Sequence, residues 1–300
     1  MPEKTPRKII LDTDLCGDCD DVGALALLLN LEKQGLCRTL CITHCLHNRW
    51  AIEYTQRTLE WFGKLDIPFG RLDPALPSPF SRHWEDSYVR PLCEPSPRTD
   101  FPVPEDSVRL LRRVLTANGG TRDITLCTIG MVNNIALLLQ SGPDDISDKT
   151  GSELIAENVC EYVAMFGRFN EPENPECNVV SDIPASQYVV SNCPIPITYV
   201  GFEIGYFKHG HSAASAPVDH PVRASYLTRN KDFISGSWDP ISVYYSVMGL
   251  SDLWKYSAPV HVTVLDDGSL AIDPAESGSR YLIQTAPTEQ IVSVLDSLIL

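Results

Sequence analysis

Apolar and polar positions fall along the chain in blocks that read as strands followed by helices. Lys8 to Leu11 is a short apolar run, the signature of a buried strand, and Val22 to Leu29 is apolar nearly all round, which suits a helix enclosed on most sides. Thr39 to Cys45 predicts a second strand, Trp50 to Leu65 an amphipathic helix, and Ile67 to Leu72 a third strand. Glu105 to Asn118 carries leucines on one face and stops at Gly119-Gly120, so it predicts a helix. Asp123 to Ile129 predicts a strand running into GMVNNIALLLQSG, a helix closed by Gly142-Pro143. Val159 to Phe166 and Pro194 to Gly201 predict two more strands. Trp238-Asp239-Pro240 opens an apolar helix reaching Gly249, with Asp239 as N-cap and Pro240 at its first position. Val260 to Leu265, Asp267-Gly268 and Leu270 to Asp273 form a hairpin signal, and Thr288 to Leu300 a closing helix. Strands alternating with helices predict an α/β fold: a mostly parallel sheet, helices on both faces, a small C-terminal β-hairpin, and site loops at the carboxyl ends of the strands.

Residues 73–104 interrupt this alternation with eight prolines together with His83, Trp84 and Tyr88. A connector of that length reads as a lid or binding loop. Three hundred residues at 43% hydrophobic content bury a large core, and residues 1–300 read as one domain. The formal charge of -15 argues against a nucleic-acid polymer as partner, because counterion release needs Lys and Arg on one face. There is no charged-then-apolar leader and no run of eighteen apolar residues, so neither a secretion signal nor a membrane span is expected, and the expected location is cytoplasmic. The ten cysteines then read as reduced thiols, mostly core residues. Cys16-x-x-Cys19 and the spacing of Cys37, Cys41 and Cys45 come without a second CxxC pair or a Cys-x-x-Cys-His context, so the core reading is favoured over a zinc or redox site.

Charge changes the picture most between the first strand and the first helix. Asp12, Asp14, Asp18, Asp20 and Asp21 share one short loop, where five like charges repel at neutral pH. The folded state needs a cation, donors facing the carboxylates, or raised pKa values, and a hard metal is the simplest answer. Asp20 and Asp21 fall at the N-terminus of the following helix, where orphan N–H groups and the dipole favour anions. An EF-hand is excluded: from Asp12, position five is Cys16 and position twelve Gly23; from Asp18, those positions are Val22 and Leu29.

The pattern IILDTD resembles two families with paired aspartates after a first strand. In the haloacid dehalogenase-like phosphatases Asp12 would be the nucleophile and Asp14 the acid/base. In the inosine-uridine preferring nucleoside hydrolases, calcium-dependent N-ribohydrolases, the signature is Asp-x-Asp-x-x-x-Asp-Asp before a small-residue and leucine helix. Here the loop is two residues longer and is similar to an Asp-x-Asp-x-Gly-x-Asp-x-Asp-Asp variant, with Cys16-Gly17 standing for the x-Gly. Later blocks favour the hydrolases, in their order. Asn48 and Thr55 keep the family's Asn-to-Thr spacing after the second strand. Ile129-Gly130 with Asn133-Asn134-Ile135-Ala136 resembles its Thr-Gly-x-x-Thr-Asn-Ile-Ala block. Glu176-Cys177-Asn178 is similar to its Glu-x-Asn, PIPITYVG to its Val-Pro-Ile-Thr-x-Val-Gly, and Trp238-Asp239-Pro240 to its late His-Asp-Pro.

The resemblance implies Ca2+ bound by Asp14, Asp21, Asp239 and the Ile129 carbonyl, with water and two ribose hydroxyls completing about seven or eight oxygens. It implies Asp14 as general base, with Asp18 as the alternative that the longer loop introduces. Asp20, Asn48, Glu176 and Asn178 would hold ribose, Glu176 and Asn178 especially its 5′ end, with Asn170 and Asn174 as weaker candidates. A hydroxyl needs an acceptor and a donor on one wall, which a Glu and an Asn two apart in extended chain supply. Trp238 stands where the best-known members carry a His that protonates the leaving base; it could stack on a purine, or His83, His209 or His211 could donate. The implied partner is a small nucleoside or related riboside, and the implied assembly a homodimer or homotetramer. The alternatives are the phosphatase and a catalytically impaired nucleoside- or sugar-binding relative.

Overall fold

Ile9 and Leu11 pack into one hydrophobic core and Ile10 into another, so the first strand is buried on both faces, as a central strand of a parallel sheet must be. The computed structural model describes residues 5–77 and 87–300. The first half of the chain contains β1 (Arg7–Thr13), α1 (Asp20–Lys33), β2 (Cys37–His44), α2 (Arg49–Trp61), β3 (Phe69–Arg71), α3 (Arg90–Cys93), β4 (Glu105–Asp106), α4 (Ser107–Asn118), β5 (Ile124–Thr128) and α5 (Asn133–Gln140). Then follow α6 (Gly151–Asn158), β6 (Val159–Met165), α7 (Cys177–Ser181), α8 (Ile183–Asn192), β7 (Ile197–Val200), α9 (Pro221–Asn230) and α10 (Trp238–Met248). The chain closes with β8 (Trp254–Tyr256), β9 (Val260–Val264), β10 (Leu270–Pro274), β11 (Arg280–Gln284) and α11 (Thr288–Asp296).

The main sheet runs β4-β3-β2-β1-β5-β6-β7-β11-β8, and β9 and β10 form a separate antiparallel hairpin. Every pairing in the main sheet is parallel except β11 with β8. The chain builds outward from β1 to β4, then returns to the other side of β1 with β5 and builds the opposite way. The gap between the carboxyl ends of β1 and β5 is therefore a topological switch point, where an open α/β sheet leaves a crevice. One core lies under α1, α2, α9, α10 and α11, the other under α4, α5, α6 and α8. Thus both faces are covered, as the alternating pattern predicts. α1 is buried from Asp20 to Leu31, the enclosed helix that its all-round apolar sequence requires.

Several elements depart from the sequence reading. Glu176, expected beside Asn178 in extended chain, instead caps the short helix α7, accepting the Asn178 N–H at 2.9 Å. Asp239 is not an N-cap: Ser237 holds that position and Asp239 lies in the first turn of α10. The apolar pattern does not single out α6, α8, α9, β8 or β11. Two of them have local signals: a capping box of Thr150 with Glu153 for α6, and Asp182 accepting the Ala185 N–H for α8. The lid expected over residues 73–104 lies partly outside the described residues, and so do His83 and Trp84. Within its described part Ser87 Oγ donates to the Cys16 carbonyl at 2.9 Å, which ties the segment to the acidic loop.

Arg112 holds the α4–α6 side together. Its guanidinium is buried and bonds Asp144 Oδ1 and Oδ2, Ser141 Oγ and the carbonyls of Ser147 and Lys149. Arg112→Ala leaves those acceptors unpaired, and Tm is expected to fall by roughly 5–10 °C in a thermal melt.

Candidate active site

β1 delivers the acidic loop to the switch point. Asp12, the acidic residue within the strand, is fully buried and faces inward, its Oδ1 accepting from Thr43 Oγ1 at 2.5 Å and Asn134 Nδ2 at 2.7 Å. Burial pushes its carboxyl up to about 7, against the opposing pull of those two donors. Its other oxygen, Oδ2, has no hydrogen-bond partner among the described residues. Held this way Asp12 braces the loop and offers no face to a phosphoryl group, which removes the nucleophile that a dehalogenase-like phosphatase needs.

The next carboxylates converge on one cavity of about 180 Å3 lined by Asp14, Asp18, Asp20, Asp21, Asp239, Ile129, Glu176 and Asn178, with Met165, Cys177, Phe202 and Trp238 completing the wall. Asp20 and Asp21 open α1 and Asp239 lies in the first turn of α10, so two helix N-termini point at the same space. Their dipoles favour negative charge there. Oxygens of Asp20, Asp21 and Asp239 lie within 4.8 Å of one another. The Asp239 N–H donates to Asp20 Oδ2 at 3.3 Å, and Thr13 Oγ1 donates to Asp21 Oδ1.

Burial first, and mutual repulsion second, raise these groups. Asp14 is pushed up to about 8, with Asp20 its strongest repelling neighbour, while Asp20, Asp21 and Asp239 rise well above the usual carboxylate range. Clustered carboxylate oxygens with a backbone carbonyl alongside are the donor set of a hard divalent cation, and its charge would relieve the repulsion. The trio drawn together differs in one member from the expected ligands: Asp20 joins Asp21 and Asp239, and Asp14 and Ile129 line the same cavity.

The opposite wall comes from the loop after β6. Glu176 is buried, accepts the Gly167 N–H at 3.2 Å through its second oxygen, and is pushed up to about 7 by burial. Asn178 Nδ2 donates to the Met165 carbonyl at 3.2 Å and approaches the Ile129 carbonyl at 3.4 Å. Asn170 is exposed and lines an adjoining cavity with Arg168, Glu171, Phe202, Glu203 and Tyr206, which meets the acidic one at Phe202. Asn174 is exposed and donates to Glu171.

Asn48 stands at the start of α2, beside Cys16 of the acidic loop. Its Oδ1 caps α2, accepting the N–H groups of Trp50 at 2.9 Å and Ala51 at 3.0 Å, and it is not among the residues lining the acidic cavity. His209 is buried, bonded to Ser237 Oγ at 3.0 Å and Tyr226 OH at 2.9 Å, and burial pushes it down to about 3. It steadies the residue that caps α10. His211 opens a short 3-10 turn, and neither histidine is a wall residue of the acidic cavity. Trp238 is at the wall, but its indole N–H is spent on the Phe202 carbonyl at 2.8 Å, and its ring stacks on Phe202 with centroids 5.1 Å apart. Phe202, Met165 and Cys177 are wall residues that the sequence reading misses, having no pattern beyond a position at or just after the end of a strand or after a Glu.

A sequence profile described as inosine-uridine preferring nucleoside hydrolase matches residues 9–278. The chain belongs to that family. It is 27% identical over 251 residues to an uncharacterized protein of Schizosaccharomyces pombe, covering 75% of this chain and 73% of that one. Among solved structures it is similar to a plant nucleoside hydrolase, PpNRh1, with a TM-score of 0.68 and 17% identity, covering 98% of this chain and 99% of the other. It is also similar to the type III effector protein XopQ, solved as a complex with adenosine diphosphate ribose, with a TM-score of 0.74 and 15% identity, covering 99% and 94%. The family's mostly parallel sheet is the one seen here. Among the described residues no helix is long and apolar enough to cross a membrane.

Proposed function

We propose that this member of the nucleoside hydrolase family is a Ca2+-dependent N-ribohydrolase that cleaves a nucleoside to ribose and free base. The observation that carries the reading is the convergence, at the switch point, of five loop and helix carboxylates with Glu176, Asn178 and Ile129. Asp14, Asp21, Asp239 and the Ile129 carbonyl would hold the cation, with Asp20 alongside. When bound, the cation supplies Lewis acidity to the attacking water and neutralises the carboxylates. Asp14, or Asp18 from the longer loop, takes the proton of the water that adds to C1′. Asp20 and Asn178 hold ribose hydroxyls, and Glu176, with Asn170 beyond it, faces the 5′ end. The carboxylates lie beside the ring carbon on which positive charge builds as the C1′–N bond breaks and its electron pair leaves with the base. The Trp238 ring offers a stacking surface to that base, while its committed N–H gives no proton.

Hydrolysis of inosine, adenosine, guanosine, uridine and cytidine, with p-nitrophenyl riboside alongside and with or without chelator, tests the reading. Turnover of a natural nucleoside that disappears on chelation supports it. Cleavage of the p-nitrophenyl compound alone would locate the deficit in leaving-group protonation, at Trp238. No cleavage at all would favour the second reading, a binding relative without turnover, which the Trp in place of His motivates. The effector solved with adenosine diphosphate ribose makes that compound the ligand to try for it, since the adjoining cavity leads away from the Asn170 and Glu176 end. The same reading carries a cytoplasmic homodimer or homotetramer built on one domain.

Gly130 gives a further test. A Cβ there would stand 2.7 Å from Asp14 Cβ and Cγ, so Gly130→Ala must displace the Asp14 side chain. A shift of about 1 Å in a reacting group costs on the order of 100-fold, and kcat/KM is expected to fall that far while the fold, followed by circular dichroism, persists.

A further inference from the structure

The sheet carries a second cavity, of about 700 Å3, at its opposite end. Arg7, Glu161 and Arg280 come from the starts of β1, β6 and β11, and Arg122 and Asp123 immediately precede β5. Tyr256 ends β8, which runs the other way. The lining thus belongs to the amino ends of the parallel strands, whereas the acidic cavity lies at their carboxyl ends.

Its charge is opposite in character to the chain's. Asp123 is committed to Lys8 at 2.8 Å, and Glu161 to Tyr245 OH at 2.5 Å and Arg7 at 3.5 Å. Arg122 and Arg280 are exposed and have no ion-pair partner among the described residues; Arg280 stands 5.2 Å over the Tyr256 ring. Two guanidinium groups without an ion-pair partner among the described residues therefore line one cavity in a chain of net charge -15. Arg122 also holds a left-handed φ of 48°, a conformation that non-glycine residues adopt at a cost, in the turn that follows Gly119-Gly120.

We propose that this cavity is a second ligand site, for a phosphate-bearing anion of two or more charges, gripped by Arg122 and Arg280. A guanidinium presents a planar fork of donors that matches phosphate oxygens in pairs, and two such forks suit a diphosphate better than a single halide or carboxylate. The volume is in the range of small-molecule sites. The site uses no residue of the acidic cavity and does not depend on the ribohydrolase reading.

Calorimetric titration of the full chain with sodium pyrophosphate, and separately with ATP, at matched ionic strength and without added divalent cation, tests it. Saturable binding that weakens at least about tenfold in Arg122→Ala/Arg280→Ala, with Tm held, is the expected result. Binding of both probes assigns recognition to phosphate alone; binding of ATP only adds a contribution from the nucleoside part. The absence of saturable binding by either probe, or equal affinity in the double variant, overturns the proposal. Arg280→Gln alone, at an exposed position, supplies the comparison should the double variant not fold.

Discussion

Asp239→Ala is expected to abolish both cation binding and nucleoside turnover while making the cation-free protein more stable. Truncating a buried side chain ordinarily destabilises by about 1–3 kcal/mol. Here the buried group is a carboxylate repelled by Asp20 and Asp21, so its removal relieves a cost that the proposed cation would otherwise offset. If it binds calcium as proposed, wild-type protein at a concentration about 1,000 times Kd should gain about 4 kcal/mol, roughly 10 °C in Tm. The variant should show no calcium-dependent shift, a higher Tm in chelator than wild type, and turnover lowered by at least about 1,000-fold. Full activity in Asp239→Ala would sink the assignment of the site.

The second large effect is on pH. Without cation, burial holds Asp12 and Glu176 up to about 7 and Asp14 up to about 8. The folded state therefore binds these protons more tightly than the unfolded chain does. That contribution is complete below the unfolded values and is lost as pH rises through the folded ones. Between about pH 6.5 and 8.5 the loss is on the order of 3 kcal/mol, roughly 5–10 °C in Tm. His44 and His209, pushed down to about 4 and 3, are neutral in both states across most of this window and do not mask the effect. Thermal melts in chelator should fall with pH and those in calcium should be nearly flat; a chelated Tm that rises with pH would contradict the account.

The start of the fold is legible in the sequence because a strand of Ile-Ile-Leu and an all-apolar helix admit one arrangement of the five aspartates between them. Asp20 and Asp21 accordingly stand where the helix signal places them. Asp239-Pro240 misleads: the pair reads as N-cap and first residue, yet Ser237 takes the cap and Asp239, in the first turn of a helix packed on α1, lines the cavity. Glu176 and Asn178 are found by motif but with the wrong backbone, since a five-residue helix carries no period to read. His209 looks like a loop histidine in sequence; burial against Tyr226 and Ser237 is a long-range fact that no local pattern records. The same holds for the stack of Phe202 on Trp238, two residues 36 positions apart that meet only when the loops after β7 and before α10 fold over the site.

The chain's free thiols give the molecule an optical readout of its own. Among the described residues the two exposed cysteines are Cys160 and Cys177. Cys177 lines the acidic cavity and Cys160 the basic one, at opposite ends of the sheet. Burial raises both thiols, Cys177 to about 11, so a chromogenic disulfide reagent would react slowly enough to time. A riboside would shield one sulfur and a diphosphate the other, and occupancy of the two cavities could be counted separately on the unmodified sequence.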